Sequence, residues 1–182
     1  MAGIDAHNST IYNMRDPVGD NDAATKQYVD KKVRKCKSGL VPYLRANVDN
    51  KSGYVISASS EHSNVYSAYK AMKYGSGEWA SLAEMTHFWF KVKCLERVRV
   101  WRFSALGRGY PGHELVSWIF EGSNDDADWT VLRSESNYVI GHTIALVDID
   151  TNEYFQYYRL FIVLAAGLNA GLAHFQLYVY NE

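Results

Sequence analysis

Apolar side chains recur at alternate positions along much of the chain after residue 39, and this period of two constrains the fold more than any other feature. Phe88, Phe90 and Val92, for example, occupy alternate positions of one run. Because successive side chains of a strand point to opposite faces of a sheet, each run can bury one face and expose the other. The runs predicted to be strands are 54–58, 87–93, 97–103, 116–121, 130–132, 138–146, 157–163 and 173–180.

Turn signals separate these runs, at 75–77, 107–112, 122–128 and 148–152. About eight short strands without a long helix predict an all-β fold, an antiparallel β-sandwich or jelly roll. The chain has 182 residues and is 47% apolar, which is enough for a packed core and excludes wholesale disorder. Its three prolines and 13 glycines exclude a collagen-like or low-complexity chain.

The first 39 residues follow a different pattern, so we divide the chain into an N-terminal segment, 1–39, and a β-domain, 40–182. The Asp16-Pro17 step favours an extended or turn conformation, and Asp22 is a good N-cap for a helix at 23–36. A helix of about 14 residues is marginal alone, and its narrow apolar stripe needs a partner. That partner is either copies of the same segment or the following β-domain, and the periodicity leaves both open.

The stretch 11–30, which reads IYNMRDPVGDNDAATKQYVD, closely resembles a motif of viral fibre proteins. The motif recurs in bacteriophage tail fibres and in surface proteins of large DNA viruses, including those of algae. The resemblance implies that the segment is a short α-helical stem or hinge that forms a homotrimer. The oligomerisation contacts would then come from Ile11, Met14, Thr25, Tyr28, Val29, Val33 and Cys36.

Four later segments together resemble a discoidin-type (F5/8 type C), galactose-binding-like domain. They read YVISASSE at 54–61, FEGSND at 120–125, WTVL at 129–132 and YYRLFI at 157–162. They occur in the order typical of that family, which is a β-sandwich of about eight strands whose ligands bind in loops at one end. On physical grounds we expect Trp129 and Tyr158 to fill the core and Arg159 to stack on neighbouring aromatic rings.

Loops of the β-domain supply a candidate carbohydrate site. A sugar site needs an aromatic platform for the apolar face of the sugar and a few planar hydrogen-bonding groups. The alternative is an ordinary exposed loop whose tyrosine packs on the sandwich or on another subunit. The predicted ligand-binding residues are Arg108, Tyr110, His113, His62, Tyr66 and Trp79.

No cofactor or metal is predicted. Many relatives of the discoidin type hold a structural calcium ion in a loop with Asp-Gly shortly before a Trp, but 71–79 here reads AMKYGSGEW. Lys73 stands where the carboxylate is expected and opposes a cation, although Glu78 and backbone carbonyl groups could compensate. The acidic cluster at 125–128 lacks the spacing of a calcium loop and indicates a solvated turn. None of the six histidines lies at metal-binding spacing from another.

The composition excludes several classes of function. Nineteen basic and 20 acidic residues give a net charge of -1, so nucleic acid is not an expected partner. No stretch approaches the ~20 apolar residues that cross a bilayer, and the first residues resemble no secretory signal, so we expect synthesis in the host cytoplasm and no membrane partner. The two cysteines match no disulfide framework, and the absence of catalytic motifs predicts that the protein is not an enzyme.

Together, the two resemblances imply a homotrimeric fibre or spike protein on the virion surface. The N-terminal segment would join other virion or capsid proteins, and the lectin-like β-domain would bind a host-surface glycan for attachment. The alternative is a purely structural minor capsid or fibre component that docks on other virion proteins and binds no sugar. A third possibility is an accessory module that serves a carbohydrate-active enzyme.

Overall fold

The structure, a computed structural model, describes residues 34–35, 39–42, 44–49, 52–72, 75, 77–83 and 87–181. The chain divides into two compact units, Met1–Arg34 with Asn181–Glu182 and Lys35–Tyr180, and the β-sandwich belongs to the second. Two residues near the end of the predicted helix form a short strand instead, β1 (Arg34–Lys35). The remainder of the predicted helix and all seven predicted oligomerisation residues lie outside the described residues.

The described residues of the second unit fold mainly into strands. Two 3₁₀ helices, Asn64–Tyr66 and Ala68–Met72, lie between the second and third strands. The strands are β2 (Val55–Ala58), β3 (Trp79–Ala80), β4 (Phe88–Val98), β5 (Val100–Gly107), β6 (Leu115–Ser123), β7 (Thr130–Glu135), β8 (Ala145–Asp148), β9 (Phe155–Ala165) and β10 (Gly171–Asn181).

These strands form two sheets, which confirms the predicted all-β antiparallel sandwich. One sheet has the order β2-β4-β9-β6-β7, and the other has the order β1-β10-β5-β8 with β3 also paired to β10. The strand pairs of known register from β2 to β10 are antiparallel. Consecutive strands β4 and β5 therefore belong to different sheets, so the chain crosses the sandwich between Val98 and Val100.

Aromatic rings from both sheets fill the core. Phe103 of one sheet lies 4.6 Å, centroid to centroid, from Phe120 of the other, and both side chains are fully buried. Tyr158 is also fully buried, as predicted, and its hydroxyl donates a 2.6 Å hydrogen bond to the carbonyl oxygen of Val98. Each buried ring of this size contributes about 1.5–3 kcal/mol through burial, and the hydrogen bond removes the cost of burying a phenol.

The predicted strand at 138–146 is wrong over most of its length, since only its end belongs to β8. Residues 138–144 form a loop that is joined to the sheets by a bridge between Ile140 and Leu115 and by a 2.8 Å hydrogen bond from the N–H of Gly107 to the carbonyl oxygen of Gly141. The carbonyl oxygen of Tyr138 accepts a 2.9 Å hydrogen bond from the indole of Trp118, which holds this loop away from a strand path. Strand β3 was not predicted, because two residues are too short for a period to be read.

The outer face of the β2-β4-β9-β6-β7 sheet contains the stack predicted for Arg159. Its guanidinium carbon lies 4.0 Å from the ring centroid of Trp129 and 5.4 Å from that of Phe161. Its Nε donates a 2.8 Å hydrogen bond to the carboxylate of Glu121. Trp129 is half-buried in this stack and does not fill the core as predicted. Its ring shields the ion pair from water instead.

The acidic turn at 124–128 is exposed and ordered by its own hydrogen bonds, in agreement with the predicted solvated turn. One carboxylate oxygen of Asp125 accepts hydrogen bonds from the backbone N–H groups of Ala127 and Asp128, which lower the pKa of Asp125. Asp126 has a positive φ of 63° and pairs with Lys91 at 2.6 Å. These contacts account for the acidic residues as turn-forming groups.

Candidate functional site

A cleft of about 610 Å³ opens at the end of the sandwich where β5 finishes and β10 begins. At this end Gly107 pairs with Leu172, and the N–H of Arg108 donates to the carbonyl oxygen of Gly171 at 3.1 Å. The described residues around the opening belong to segments 59–72, 77–78, 108–114 and 141–144, together with Gly75. The cleft is lined by Val65, Tyr66, Gly75, Gly77, Glu78, Leu106, Gly107, Gly109, Tyr110, His142 and Ala173.

The loop at 59–72 is fixed in place by polar contacts, which is why it can present side chains reproducibly. One carboxylate oxygen of Glu61 accepts hydrogen bonds from the amide of Asn47 at 2.6 Å and from the N–H of Ala68 at 2.8 Å. The side-chain oxygen of Asn47 in turn accepts from the N–H of Tyr69 at 2.9 Å. These bonds hold both ends of the 3₁₀ segment that carries Tyr66.

Arg108 cross-links the loops around the cleft. Its guanidinium carbon lies 4.2 Å from the ring centroid of Tyr66 and 4.7 Å from that of Tyr110. Its Nε donates a 2.7 Å hydrogen bond to Glu78. The residue is only 9% exposed and does not line the cleft, so its charge lies behind the tyrosines and the carboxylate. A buried guanidinium in contact with two rings and a carboxylate is a rigid support.

Close packing beneath Arg108 requires a glycine at position 171. A Cβ atom at Gly171 would lie 2.9 Å from the Cβ of Arg108 and 3.0 Å from the carbonyl oxygen of Trp79. Both distances are shorter than ordinary van der Waals contact, and one of the atoms is backbone. Strand β10 therefore begins with a residue that lets the arginine approach the sheet.

Tyr110 presents the most accessible aromatic ring of the cleft, with 58% of its surface exposed. It lies on a turn whose Gly112 has a φ of 87°, a conformation that favours glycine. The N–H of Gly112 donates to the carboxylate of Glu114 at 2.8 Å, and the ring of His113 lies edge-on to Tyr110 at 6.5 Å. The turn thus exposes the phenol ring while the residues around it are held in place.

Two titratable groups beside the cleft have shifted pKa values. Burial lowers the pKa of His113, and the nearby positive charge of Arg108 lowers it further. The pKa of Glu114 is also lowered, first by a hydrogen bond from its own backbone N–H and then by His142, whose Nε2 lies 3.0 Å from the carboxylate. Near neutral pH the site therefore contains an uncharged imidazole at His113 and a carboxylate at Glu114.

Five of the six predicted ligand-binding residues come together at this end of the sandwich. Tyr66 and Tyr110 line the cleft, and Arg108 supports both rings. His62 lies edge-on to Tyr66 at 5.7 Å, and His113 lies beside Tyr110. His62 with Tyr66 and His113 with Tyr110 thus form two aromatic pairs, one from each loop. The tyrosine of each pair contacts the guanidinium of Arg108.

Trp79 is the predicted site residue that the structure places elsewhere. Its indole is fully buried in the core, 5.5 Å from the ring of Phe90, and it cannot contact a ligand in the cleft. The sequence did not identify Glu78 or His142 as site residues, although both line the cleft. In the sequence, Glu78 was distinguished only by its position next to Trp79. No local sequence pattern indicated that His142 would line a binding site.

Among the described residues, no group of three or more His, Cys, Asp or Glu side chains is arranged to hold a metal ion. Residues Lys73 and Tyr74, on which the argument against calcium depends, lie outside the described part of the chain. Within the part that the structure describes, no helix has the length and apolar character that a membrane crossing requires.

Comparisons with protein-family models and with curated proteins find no match, whereas many solved structures are similar. Chitosan-binding module 1 of a Paenibacillus sp. IK-5 chitosanase/glucanase has a TM-score of 0.61 and 20% identity, covering 76% of this chain and 99% of the module. The family 32 carbohydrate-binding module of Clostridium perfringens NanJ, solved with galactose, has a TM-score of 0.60 and 14% identity, covering 69% of this chain and 93% of the module.

An F5/8 type C domain from Bacteroides fragilis is equally similar, with a TM-score of 0.61 and 17% identity, covering 73% of this chain and 95% of the domain. At these identities the likeness concerns the fold alone. The β-domain therefore has the galactose-binding-like, discoidin-type sandwich fold that the four sequence segments implied.

Proposed function

We propose that the β-sandwich is a carbohydrate-binding domain and that the cleft beside Tyr110 is its ligand site. The observation that carries this proposal is an exposed phenol ring held next to fixed polar groups. Tyr110 offers an apolar face for stacking on a sugar ring, and Glu78 and His142 offer hydrogen-bonding groups within the same cleft. The galactose-bound and chitosan-binding modules that share the fold support the same class of ligand.

Binding at one such cleft is expected to be weak, because the site is shallow and open. We propose that the full protein compensates through avidity, as a homotrimer that presents three sites together. The support is the resemblance of residues 11–30 to the stem motif of viral fibre proteins. On this proposal the protein is a virion surface fibre or spike that attaches to a host glycan, and its N-terminal segment contacts other virion proteins.

The proposed role is binding without catalysis. The supporting observation is that the carboxylate and the imidazole that line the cleft, among the described residues, are each paired with a neighbour: Glu78 with Arg108, and His142 with Glu114. Each carboxylate has lone pairs beyond those used in its pair, so Glu78 can accept a further hydrogen bond from a sugar hydroxyl group. A glycan recovered from the purified protein should therefore be chemically unchanged, as mass spectrometry of the eluted oligosaccharide can establish.

A glycan array probed with the full-length protein tests the proposal directly. Binding to a defined set of oligosaccharides or wall polysaccharides is the expected result, and it should be competed by the free sugar. If no glycan is bound by the full-length protein at micromolar concentration, the carbohydrate proposal is wrong and the structural alternative, docking on other virion proteins, replaces it.

A further inference from the structure

The carboxylate that lines the cleft is that of Glu78, whereas the guanidinium paired with it, that of Arg108, lies against the rings of Tyr66 and Tyr110. Glu78 lines the cleft and its side chain is 27% exposed. Arg108 does not line the cleft, and its side chain is 11% exposed. A ligand that enters the cleft therefore meets the acceptor oxygens of Glu78 before it meets the positive charge of Arg108.

The other charged groups near the cleft are already engaged within the described part of the chain. The imidazole of His142 lies 3.0 Å from the carboxylate of Glu114. The ammonium of Lys70 donates hydrogen bonds to the carbonyl oxygens of Asn64 and Val65 at 2.8 and 2.9 Å. Neither group is positioned as a ready partner for the carboxylate or sulfate of an acidic sugar.

From this arrangement we infer that the Glu78–Arg108 pair makes the cleft selective for neutral over acidic saccharides, an inference that rests on the proposed carbohydrate function. Arg108 acts as a positioning residue, because it holds Tyr66, Tyr110 and Glu78 in one arrangement without facing the ligand. Glu78 is the specificity-determining residue. Its carboxylate accepts hydrogen bonds from sugar hydroxyl groups and repels a uronate or a sulfate ester at the same position.

The Glu121–Arg159 pair offers a matched control on the outer face of the β2-β4-β9-β6-β7 sheet. Its arginine also stacks on two aromatic rings and donates Nε to a glutamate oxygen, at 2.8 Å compared with 2.7 Å for Arg108 and Glu78. Neither residue of this second pair lines the cleft. Glu121→Gln therefore reproduces the chemical change of Glu78→Gln at a site that no ligand in the cleft can reach.

The test compares wild-type protein, Glu78→Gln, Glu78→Asp and Glu121→Gln on an array that pairs neutral galactans, glucans and chitin oligomers with uronate-containing and sulfated counterparts. Wild-type protein should prefer the neutral members. Glu78→Gln should weaken neutral binding and reduce the neutral-to-acidic affinity ratio by about tenfold, because the repulsion is gone. Glu78→Asp, which keeps the charge, and Glu121→Gln should both retain the preference, a pattern that a merely structural role for Glu78 would not produce.

A measurement on the wild-type protein keeps the inference testable if Glu78→Gln does not fold. Salt screens the repulsion between Glu78 and an acidic sugar, so raising ionic strength should increase the affinity for uronate probes relative to neutral ones. Three results would overturn the inference while leaving the proposed function standing. The neutral-to-acidic affinity ratio could stay unchanged when salt is raised, or stay unchanged in a folded Glu78→Gln protein. The wild-type protein could also prefer the acidic saccharides. Absence of binding to every array member by wild-type protein would overturn both.

Discussion

The indole nitrogen of Trp79 donates a 2.9 Å hydrogen bond to the carbonyl oxygen of Ser60, and this bond ties the core to the loop that carries Tyr66. The ring of Trp79 is fully buried, whereas Tyr66 lines the cleft. The hydroxyl of Ser60 accepts a further 3.0 Å hydrogen bond from the N–H of Leu82, so the same residue joins the loop to the chain that follows β3. The geometry of the candidate site therefore depends on a residue that no ligand can touch.

Replacing Trp79 by phenylalanine should reduce both stability and ligand affinity. The shorter ring leaves a cavity and removes the hydrogen bond to Ser60, which together should lower the free energy of unfolding by about 2–4 kcal/mol. Urea denaturation followed by intrinsic fluorescence measures the first effect, and titration with the best array ligand measures the second. A variant that loses stability but binds as tightly as wild type would show that the loop does not depend on this bond.

Tyr110→Ala should reduce ligand affinity without a comparable loss of stability. The ring is 58% exposed, so its removal should change the free energy of unfolding by less than about 1 kcal/mol. Loss of its stacking surface should weaken glycan binding by about tenfold or more. Surface plasmon resonance on the immobilised glycan checks the affinity.

Tyr154→Ala is the matched control for Tyr110→Ala. Tyr154 is 39% exposed and precedes β9, whereas the far end of β9 is next to the loop of Tyr110, where the N–H of Ala166 donates to the carbonyl oxygen of Glu114. Eleven residues of extended strand separate the two ends by about 33 Å. Equal loss of binding in both variants would mean that Tyr110 is not at the ligand.

The partly buried imidazole of His113 predicts a fall in stability on mild acidification. Burial and the charge of Arg108 lower the pKa of His113 in the folded state, so the unfolded state binds protons more tightly. Its stabilising contribution is therefore complete above the unfolded pKa of about 6.5 and is lost progressively as pH falls towards the folded value. The melting temperature should be lower at pH 5.5 than at pH 7.5.

Differential scanning fluorimetry of wild-type protein and His113→Phe at these two pH values checks this prediction. The variant has no proton to bind at position 113, so its melting temperature should fall less between pH 7.5 and pH 5.5. His174, whose pKa is also lowered by burial, titrates in both proteins and cancels in the comparison. An identical fall in both proteins would remove His113 as a cause.

The sequence predicts most of the fold because strand periodicity is a local signal. Seven of the eight predicted runs fall largely within strands of the structure. In the long strands β4 and β9, burial of one sheet face imposes the alternation that the sequence shows. The run at 138–146 fails because apolar residues there are exposed in a loop, as Val139 and Ile144 illustrate at 54% and 48% exposure. Apolar residues that alternate in an exposed loop give the same sequence pattern as a half-buried strand, so this pattern predicted a strand where the structure has a loop.

The candidate site is only partly predictable, because its members are far apart along the chain. Tyr110 and Arg108 were identified through their setting among glycines. Glu78 was missed as a ligand group, because only the fold brings it 2.7 Å from the side chain of Arg108. Trp79 was assigned to the site as an aromatic residue of a neighbouring loop, whereas β3 directs it into the core.

Removal of residues 1–34 tests the proposed oligomer. The compact unit that contains the sandwich begins at Lys35, so the shortened chain should remain folded. If the N-terminal segment forms the trimer, native mass spectrometry should give a trimer for the full-length chain and a monomer for the shortened chain. Affinity for a multivalent glycan surface should then fall by about 100-fold or more, whereas affinity for a free oligosaccharide should stay unchanged.

A monomeric full-length chain at micromolar concentration would contradict the fibre proposal. A trimer that persists after removal of residues 1–34 would instead assign the contacts between subunits to the β-domain.

The most direct test of the central claim is to map the bound glycan on the protein by NMR. Backbone amide shifts of isotopically labelled protein would be followed during titration with the best oligosaccharide from the array. The account predicts that the largest changes occur at Tyr66, Glu78, Gly109 and Tyr110, around the cleft at the end of β5. Saturable changes confined to another face of the sandwich, with these four amides unmoved, would contradict it.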